Sequence, residues 1–281
     1  MEPSKINFKN IPVQAGIISN IIKLEVDSNN CFQELDDLIS SDQGVASLVL
    51  RVVNSPFYSR GNKVTTIPFA ISLLGYSVVR SLALLAFSRS LFSHTKNEKF
   101  RVHIWQHSLL TAIASQNISQ EFGKVNLSDE AFIAGLMHDT GKVLMFNHNP
   151  AMYQDVFKFA FENNCTSVQA EHHYFGFDHC QVGVEAVKEW KLPERFRDYM
   201  GTDLSNPPAD HHADQVMTSL RVANYLIKAA GIGGLEIDDY EIKKSALSAF
   251  GLHEVLHENL LHEDFIPGLM ENDTYKLCAS I

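Results

Sequence analysis

A His-Asp pair inside an apolar stretch carries the strongest chemical signal of this chain. His138 and Asp139 lie in the segment FIAGLMHDTGK, after an apolar helical run and before Gly141. An imidazole nitrogen beside a carboxylate oxygen suits iron, manganese or zinc. Neighbouring side chains on a helix point about 100° apart, so both reach one ion only where the helix ends or bends. We expect Thr140 and Gly141 to form that bend. The spacing alone leaves open a hydrogen-bonded or capping pair at a helix end.

The other histidines are less specific, although the chain has 13 of them in 281 residues. His107 lies at the edge of the apolar face of a long predicted helix, where a hydrogen-bonded core histidine is the ordinary interpretation. His179 falls in the first turn of another predicted helix, where a surface or capping role is ordinary. The pairs His172-His173 and His211-His212 lie beside acidic residues and are expected to be exposed. Spacing alone therefore singles out only the His-Asp pair.

The composition is that of a globular protein and excludes some classes of function. Hydrophobic residues make up 45% of the chain and charged residues 20%, which argues against intrinsic disorder. The 23 Lys and Arg against 33 Asp and Glu give a net charge of −10. An acidic chain without a basic run is a poor candidate for general nucleic-acid binding.

The termini and the cysteines predict a cytoplasmic protein. The sequence MEPSKINFKN at the N-terminus has no apolar core of a signal peptide, and no apolar run is long enough to span a membrane. Cys31, Cys165, Cys180 and Cys278 form no CxxC pair. We expect them to be reduced thiols without a disulfide framework.

Hydrophobic periodicity predicts helices almost throughout, because apolar residues recur at intervals of three and four. Asp42 and Thr66 are expected to cap helices, and Gly75 to end one. The polar stretch His94–Arg101 is expected to connect two helical lobes. The predicted helices cover residues 11–26, 31–41, 42–53, 66–75, 76–92, 102–122, 128 or 129 to Gly141, 150–163, 166–172, 178–190, 194–200, 211–230, 238–249 and 252–262, with a loop at 201–210.

Four segments resemble one known family. FIAGLMHDTGKVLMF resembles the signature of the HD superfamily of metal-dependent phosphohydrolases, and WQHSLLTA resembles its first histidine helix. LVLRVVNSPFYS, followed by TTIPFAISLLGYSVVRSLAL, is similar to the HDOD domain, the HD-related output domain of bacterial signalling proteins. FGFDHCQVGVEAVKEWKLPERF resembles the same domain. The segments occur in the family's order and cover roughly residues 8–230.

This resemblance implies an all-α, two-lobed fold with an HD-like helical bundle in the C-terminal lobe. The HDOD-like domain then covers residues 8–230, with an N-terminal helical lobe at 8–95 and the HD-like lobe at 100–230. Residues 231–281 are expected to form a C-terminal helical extension.

The resemblance also implies metal ligands, which carry over onto His107, His138 and Asp139. His179 matches a further histidine of dinuclear relatives. A later aspartate of catalytic relatives is replaced by Asn224, and a neutral amide is a weaker ligand than a carboxylate. A His-His pair expected near Met200–Thr202 is absent, unless His211-His212 supply it. The surviving set predicts at most one divalent transition-metal ion: iron, manganese, zinc or nickel.

The leading functional hypothesis is a non-catalytic bacterial regulatory module that binds signalling proteins or a small ligand in the cleft between the lobes. No catalytic residue and no residue for an organic cofactor is assigned under this hypothesis. The alternative is a metal-dependent phosphohydrolase, acting on nucleotides or cyclic dinucleotides with a reduced ligand set. Neither hypothesis involves a membrane.

Overall fold

The computed structural model describes residues 2–8, 15–24, 30–55, 63–92, 97–121, 125–204, 214–252, 254–272 and 274–276. Within these ranges the chain forms α-helices and one short 3-10 turn, with no strand, so the predicted all-α fold is confirmed. Among the same residues, no helix combines the length and the apolar character that crossing a lipid bilayer requires.

In the described part of the N-terminal lobe there are five α-helices, and the caps predicted at Asp42 and Thr66 are confirmed for two of them. They are α1 (Ala15–Lys23), α2 (Cys31–Ser40), α3 (Gln43–Val53), α4 (Ile67–Leu74) and α5 (Tyr76–Ser90). The Asp42 carboxylate accepts hydrogen bonds from two backbone N–H groups at the start of α3, and Thr66 accepts one at the start of α4. Gly75 ends α4 at a φ of +87°, a conformation that glycine adopts without a steric penalty.

Over the residues that the structure describes, the HD-like lobe has eight helices, and α6, α7 and α13 pack together as its centre. Three shorter helices follow it. The helices of this half are α6 (Glu98–Glu121), α7 (Val125–Met137), α8 (Thr140–His148), α9 (Pro150–Glu162), α10 (Ser167–Phe175), α11 (His179–Glu189), α12 (Phe196–Gly201), α13 (Gln215–Ala229), α14 (Tyr240–Ala249), α15 (Glu254–Leu261) and α16 (Phe265–Glu271).

Three predicted helix starts are wrong, each by several residues, and one of them is that of α13, which begins at Gln215 after its N-cap Asp214 rather than at residue 211. The connection expected at His94–Arg101 ends earlier, because the Asn97 side chain accepts the backbone N–H of Phe100 and helix α6 begins at Glu98. Helix α7 begins at Val125 rather than after a cap at Ser128 or Asp129, since Leu127 already packs against the core.

Other predictions are incomplete in several parts of the chain. Helices α8 and α16 were not predicted; α16 contains Pro267 and Gly268, which are uncommon inside a helix. Residues 11–14, 25 and 26 of the first predicted helix lie outside the described residues, as do residues 94–96 of the predicted connection and residues 205–210 of the predicted loop.

The two lobes are packed on one another through a continuous apolar core. Trp190 of the HD-like lobe places its ring edge-on to Phe87 of α5, with centroids 5.4 Å apart, and donates its indole N–H to the Phe8 carbonyl. The Ser19 hydroxyl of α1 donates to the carbonyl of Lys191 at 2.6 Å. These contacts fix the N-terminal lobe against the helices that carry the predicted ligands. The exact lobe boundaries stay a prediction.

Candidate metal centre

Four elements of the HD-like lobe bring the predicted ligands together in the interior. His107 lies in the middle of α6, and His138-Asp139 form the turn between α7 and α8. His179 is the first residue of α11, and Asn224 lies on α13. All five side chains are buried, with His107 and Asn224 fully so.

The bend that lets His138 and Asp139 share a site falls on the pair itself, so the prediction of a bend at Thr140-Gly141 is wrong. Asp139 takes the N-cap position of α8, yet its carboxylate accepts no hydrogen bond from the backbone N–H groups of that helix. The carboxylate is therefore available to the site. Gly141 is helical, and a Cβ there would overlap the backbone carbonyl oxygen of His179. Its role is to let α8 and α11 approach closely.

The ligand atoms of His107, His138 and Asp139 all lie within 4.8 Å of one another. His107 Nε2 is 3.2 Å from His138 Nε2, and the two imidazoles lie 3.6 and 3.5 Å from the nearer Asp139 oxygens. Ligands about 2.1 Å from a tetrahedral ion are separated by about 3.4 Å. The spacing therefore fits three ligands of one ion.

The hydrogen bonds behind the two imidazoles leave unprotonated nitrogens facing each other. His107 Nδ1 donates to the Ile232 carbonyl at 3.0 Å, and His138 Nδ1 donates to the Gly135 carbonyl at 2.8 Å. Because a carbonyl only accepts, each proton stays on Nδ1 when the ring is neutral. Burial lowers the pKa of His107 well below its usual value and that of His138 to about 4, so both rings are neutral near pH 7.

The Asn224 amide adds a further acceptor to this cluster. Its Nδ2 donates to the Leu204 carbonyl, which turns Oδ1 toward His107 Nε2 at 3.1 Å. Two imidazole lone pairs, an amide oxygen and a carboxylate thus converge in the protein interior with no proton between the imidazoles. The Lys142 ammonium contacts the Asp139 carboxylate, but two imidazole lone pairs that face each other in the interior are unfavourable without a cation between them. The donor set therefore fits a metal ion.

His179 belongs to the edge of this cluster and differs from the other two histidines in charge. Its Nε2 lies 3.7 Å from Asp139 Oδ1, and its Nδ1 lies 2.6 Å from Glu171 Oε2. Burial works against protonation, but the charge of Glu171 and the hydrogen bond to it raise the pKa of His179 to about 10. Without a metal ion His179 is therefore an imidazolium paired with Glu171, and its role as a ligand stays a prediction.

Glu171 is the organising residue behind His179. It is fully buried on α10 and accepts the backbone N–H of His179 at 2.8 Å as well as the imidazole N–H. The Tyr153 hydroxyl donates to its other oxygen. A carboxylate that orients a histidine from behind is a common outer-shell partner of metal ligands.

Two lysines lie beside the cluster. Lys142 Nζ donates to Asp139 Oδ2 at 2.9 Å. Burial tends to raise the pKa of Asp139, but the neighbouring His138 and the Lys142 ammonium outweigh it and hold that pKa well below its usual range. Burial, with the charge of Lys142, lowers the pKa of Lys228 to about 8.

Both lysines line a small recess that opens from the cluster. Its free volume is about 10 Å³, room for about one water molecule. The other lining residues come from the cluster, from the start of α10 and from the end of α12: His138, Asp139, Ser167, His179, Thr202, Asp203 and Leu204. Every lining residue belongs to the HD-like lobe, so this recess is not the predicted cleft between the lobes.

Sequence reasoning missed Glu171, Lys228 and Ile232. Lys228 follows Asn224 by four residues and so shares its helix face, a spacing that could have indicated it. Glu171 precedes His179 by eight residues across a turn, and Ile232 acts through a backbone carbonyl, so neither carries a local signal. His211-His212 lie outside the described residues.

Comparison with known families gives one match over most of the chain. A family model described as the HDOD domain matches residues 11–203. The match includes His107, His138, Asp139 and His179 and ends before Asn224. The four segments that carry the resemblance in the sequence therefore fall within the match. Helix α13, which contributes Asn224 to the site, lies beyond it.

Solved structures show the same fold. An HDOD domain protein of unknown function from Geobacter sulfurreducens is 23% identical, with a TM-score of 0.75 over 99% of this chain and 93% of that one. A protein from Marinobacter aquaeolei VT8, provisionally named a signal transduction protein, is 22% identical, with a TM-score of 0.74 over 96% of this chain and 59% of that one. A protein from Shewanella amazonensis SB2B, provisionally named a phosphohydrolase, is 18% identical, with a TM-score of 0.67 over 97% of this chain and 95% of that one. At these identities the likeness concerns the fold alone.

One curated relative matches a smaller share of its own length. An uncharacterized protein of Treponema pallidum (strain Nichols) is 21% identical over 213 residues, which is 75% of this chain. The match spans 41% of that relative.

Proposed function

The chain belongs to the HDOD family, and from this membership we propose that it is a regulatory module of bacterial signal transduction that holds one divalent transition-metal ion. Its HD-type site serves binding rather than turnover. The ion is iron, manganese, zinc or nickel, because the ligands are imidazole and carboxylate. Its output is the binding of a signalling protein or a small ligand.

One observation carries the proposal of an ion. The unprotonated Nε2 atoms of His107 and His138 face each other 3.2 Å apart beside the Asp139 carboxylate. These three residues would hold the ion, with the Asn224 oxygen beside them and His179 next to Asp139. When bound, such an ion supplies Lewis-acid polarisation and acidifies a water molecule.

Three features favour a regulatory role over catalysis. A neutral amide, Asn224, stands where catalytic relatives of the HD superfamily are expected to have a carboxylate. The residues at the end of α12, Met200 to Thr202, supply no histidine for a second ion. The recess that opens from the cluster is small, with room for about one water molecule.

A phosphohydrolase is the second candidate, and the lysines favour it. Lys142 and Lys228 place two ammonium groups at the recess beside the cluster. Positive groups at such a position would neutralise a phosphoryl group. This candidate uses the same three ligands around one ion and predicts hydrolysis of phosphomonoesters, phosphodiesters or cyclic dinucleotides.

The deciding experiment measures metal content and turnover on the same preparations. We expect the full chain to take up about one equivalent of Zn²⁺ or Mn²⁺, and to hydrolyse phosphomonoesters, phosphodiesters and cyclic dinucleotides no faster than buffer. In His138→Ala the metal affinity should fall by more than the 10- to 100-fold typical of outer-shell changes. Calorimetric titration and elemental analysis measure uptake.

His103→Ala is the matched control, because His103 is an exposed histidine one turn before His107 on α6. It should bind the ion as the native chain does. Metal-dependent hydrolysis that His138→Ala abolishes would replace the regulatory proposal with the enzymatic one. A native chain that takes up no divalent ion would contradict the metal site itself.

A further inference from the structure

The turn that follows α13 reaches back to the candidate metal centre. Residues 231–234 have the sequence GIGG and lie beyond the residues that the family model matches. Gly231 and Gly233 have φ angles of +80° and +82°, which only glycine adopts at little cost. The backbone N–H groups of Gly231 and Ile232 donate to carbonyls in the last turn of α13, so the segment, here called the GIGG turn, is held against the helix end.

This fold directs one carbonyl of the turn at a predicted ligand. The Ile232 oxygen accepts the Nδ1–H of His107 at 3.0 Å. Because the carbonyl cannot donate, it keeps the proton on Nδ1 and leaves the Nε2 lone pair facing His138 and Asp139. The turn contributes a backbone carbonyl to this hydrogen bond and no side chain. Any residue at position 232 would therefore offer the same acceptor.

The glycines let the turn lie directly on the ring. A Cβ on Gly233 would stand 2.5 Å from His107 Nδ1 and 2.6 Å from its Cγ. A Cβ on Gly234 would stand 2.9 Å from Lys228 Cβ. A Cβ on Gly231, by contrast, would meet only Glu236 Cβ, at an ordinary 3.6 Å. Gly233 is thus the position where space beside His107 is required.

We propose that the GIGG turn is a positioning element of the metal centre, in which the Ile232 carbonyl fixes the tautomer of His107 and Gly233 leaves room for its ring. This inference rests on the proposed function for the ion itself. It makes the C-terminal segment part of the site, since the chain continues from the turn into α14, α15 and α16. Helix α16 packs on α6, the helix that carries His107.

Gly233→Ala and Gly231→Ala form a matched pair of variants. Both place an alanine at a φ near +80°, so both carry a similar backbone strain and a similar loss of stability. Only Gly233→Ala pushes a methyl group into the His107 ring. We expect Gly233→Ala to weaken Zn²⁺ binding about 10- to 100-fold in a calorimetric titration, and Gly231→Ala to stay within about threefold of the native chain.

The tautomer of His107 provides a second readout that needs no ion. In the metal-free native chain, nitrogen-15 NMR of the imidazoles should show the proton of His107 on Nδ1. In Gly233→Ala the signal should move toward a mixture of tautomers, whereas in Gly231→Ala it should not. A change in general stability alone does not move this signal.

The outcomes separate this inference from the proposed function. If the native chain binds no Zn²⁺ but His107 is Nδ1-protonated and responds only to Gly233→Ala, the metal proposal fails and the positioning role stands. An equal loss of Zn²⁺ affinity in both variants would overturn the positioning role. So would a native His107 protonated on Nε2, a measurement that holds even if Gly233→Ala does not fold.

Discussion

The Asn224 side chain is a neutral amide where an aspartate would place a carboxylate, and this difference affects both the charge and the hydrogen bonds of the cluster. Its Nδ2 donates to the Leu204 carbonyl at 3.2 Å, a bond that a carboxylate cannot make. Its oxygen is at the same time a weak neutral donor to a cation, 3.1 Å from His107 Nε2. The residue thus ties α13 to the end of the preceding segment and adds no negative charge beside Asp139.

We expect Asn224→Asp to bind divalent ions more tightly and to be less stable without them. The new carboxylate would add a charged ligand near Asp139, but it would face the Leu204 carbonyl and a like charge in the interior. Zn²⁺ affinity should rise about tenfold or more. The metal-free chain should lose about 1–3 kcal/mol of unfolding free energy. Calorimetric titration and urea unfolding with a chelator measure the two effects.

Asn147→Asp is the matched control, because the Asn147 amide also donates to a carbonyl, that of Leu91, but lies outside the cluster. It should leave Zn²⁺ affinity unchanged. An Asn224→Asp chain that binds Zn²⁺ no better than the native one would show that the position does not reach the ion.

At the scale of elements, glycines at helix crossings place the ligands within reach of one another. A Cβ on Gly135 of α7 would stand 2.5 Å from the Ala112 Cα of α6, one turn from His138. A Cβ on Gly141 of α8 would overlap the carbonyl oxygen of His179 on α11. Close approach of backbones at these two points allows short side chains such as Asp139 to meet histidines of two other helices.

We predict that Gly141→Ala destabilises the chain and separates α8 from α11. Overpacking of this kind typically costs about 1–3 kcal/mol, and here the obstacle is backbone rather than a movable side chain. Gly268→Ala is the comparison, since a Cβ in that exposed helical position meets nothing within 4 Å. It should be neutral or stabilise by up to about 1 kcal/mol. Urea denaturation of both variants checks this, and a Gly141→Ala chain as stable as the native one would refute the packing argument.

At the scale of the whole molecule, the site depends on parts of the chain that are far apart in sequence. The N-terminal lobe packs against Trp190, which directly follows α11. The GIGG turn and α16 both contact α6. The structure from Geobacter sulfurreducens matches 99% of this chain, so the common fold extends well beyond the residues 11–203 of the family model. The C-terminal extension is therefore part of the architecture.

The buried histidines predict how the stability of the metal-free molecule depends on pH. Burial lowers the pKa of His107 and that of His138, the latter to about 4, from a value near 6.5 in the unfolded chain. Below pH 6.5 the unfolded chain therefore binds more protons, and stability falls as the pH is lowered. For His138 the loss between pH 6.5 and 5 is about 2 kcal/mol.

His179 acts in the opposite direction, because its pKa is raised to about 10 by Glu171. Its contribution is fully present below pH 6.5 and is lost as the pH rises toward 10. Urea unfolding of the chelated chain at pH 5 and pH 7 measures the acid limb, which His138→Gln should flatten. Equal stability at the two pH values in the native chain would contradict the assignment of neutral buried histidines.

The sequence by itself determined the helical fold and its main helices, because apolar periodicity, caps at Asp42 and Thr66 and the glycine at 75 are local signals. It also singled out His107, His138, Asp139 and His179 through a resemblance to a known family, and the structure places them side by side. Their role as ligands stays a prediction. The errors concern mainly helix boundaries, as at the starts of α6 and α7, where periodicity places an end less sharply than it places a helix.

Only the tertiary structure decided how the candidate site is built. The break between α7 and α8 falls on the His-Asp pair rather than at Gly141. Gly141 instead allows α8 and α11 to approach each other closely. Glu171 and the Ile232 carbonyl fix two imidazoles from segments that no spacing rule connects to them. The physical reason is that charge, tautomer and burial depend on the surroundings of a group, and here those surroundings are assembled from several helices and turns that are far apart in sequence.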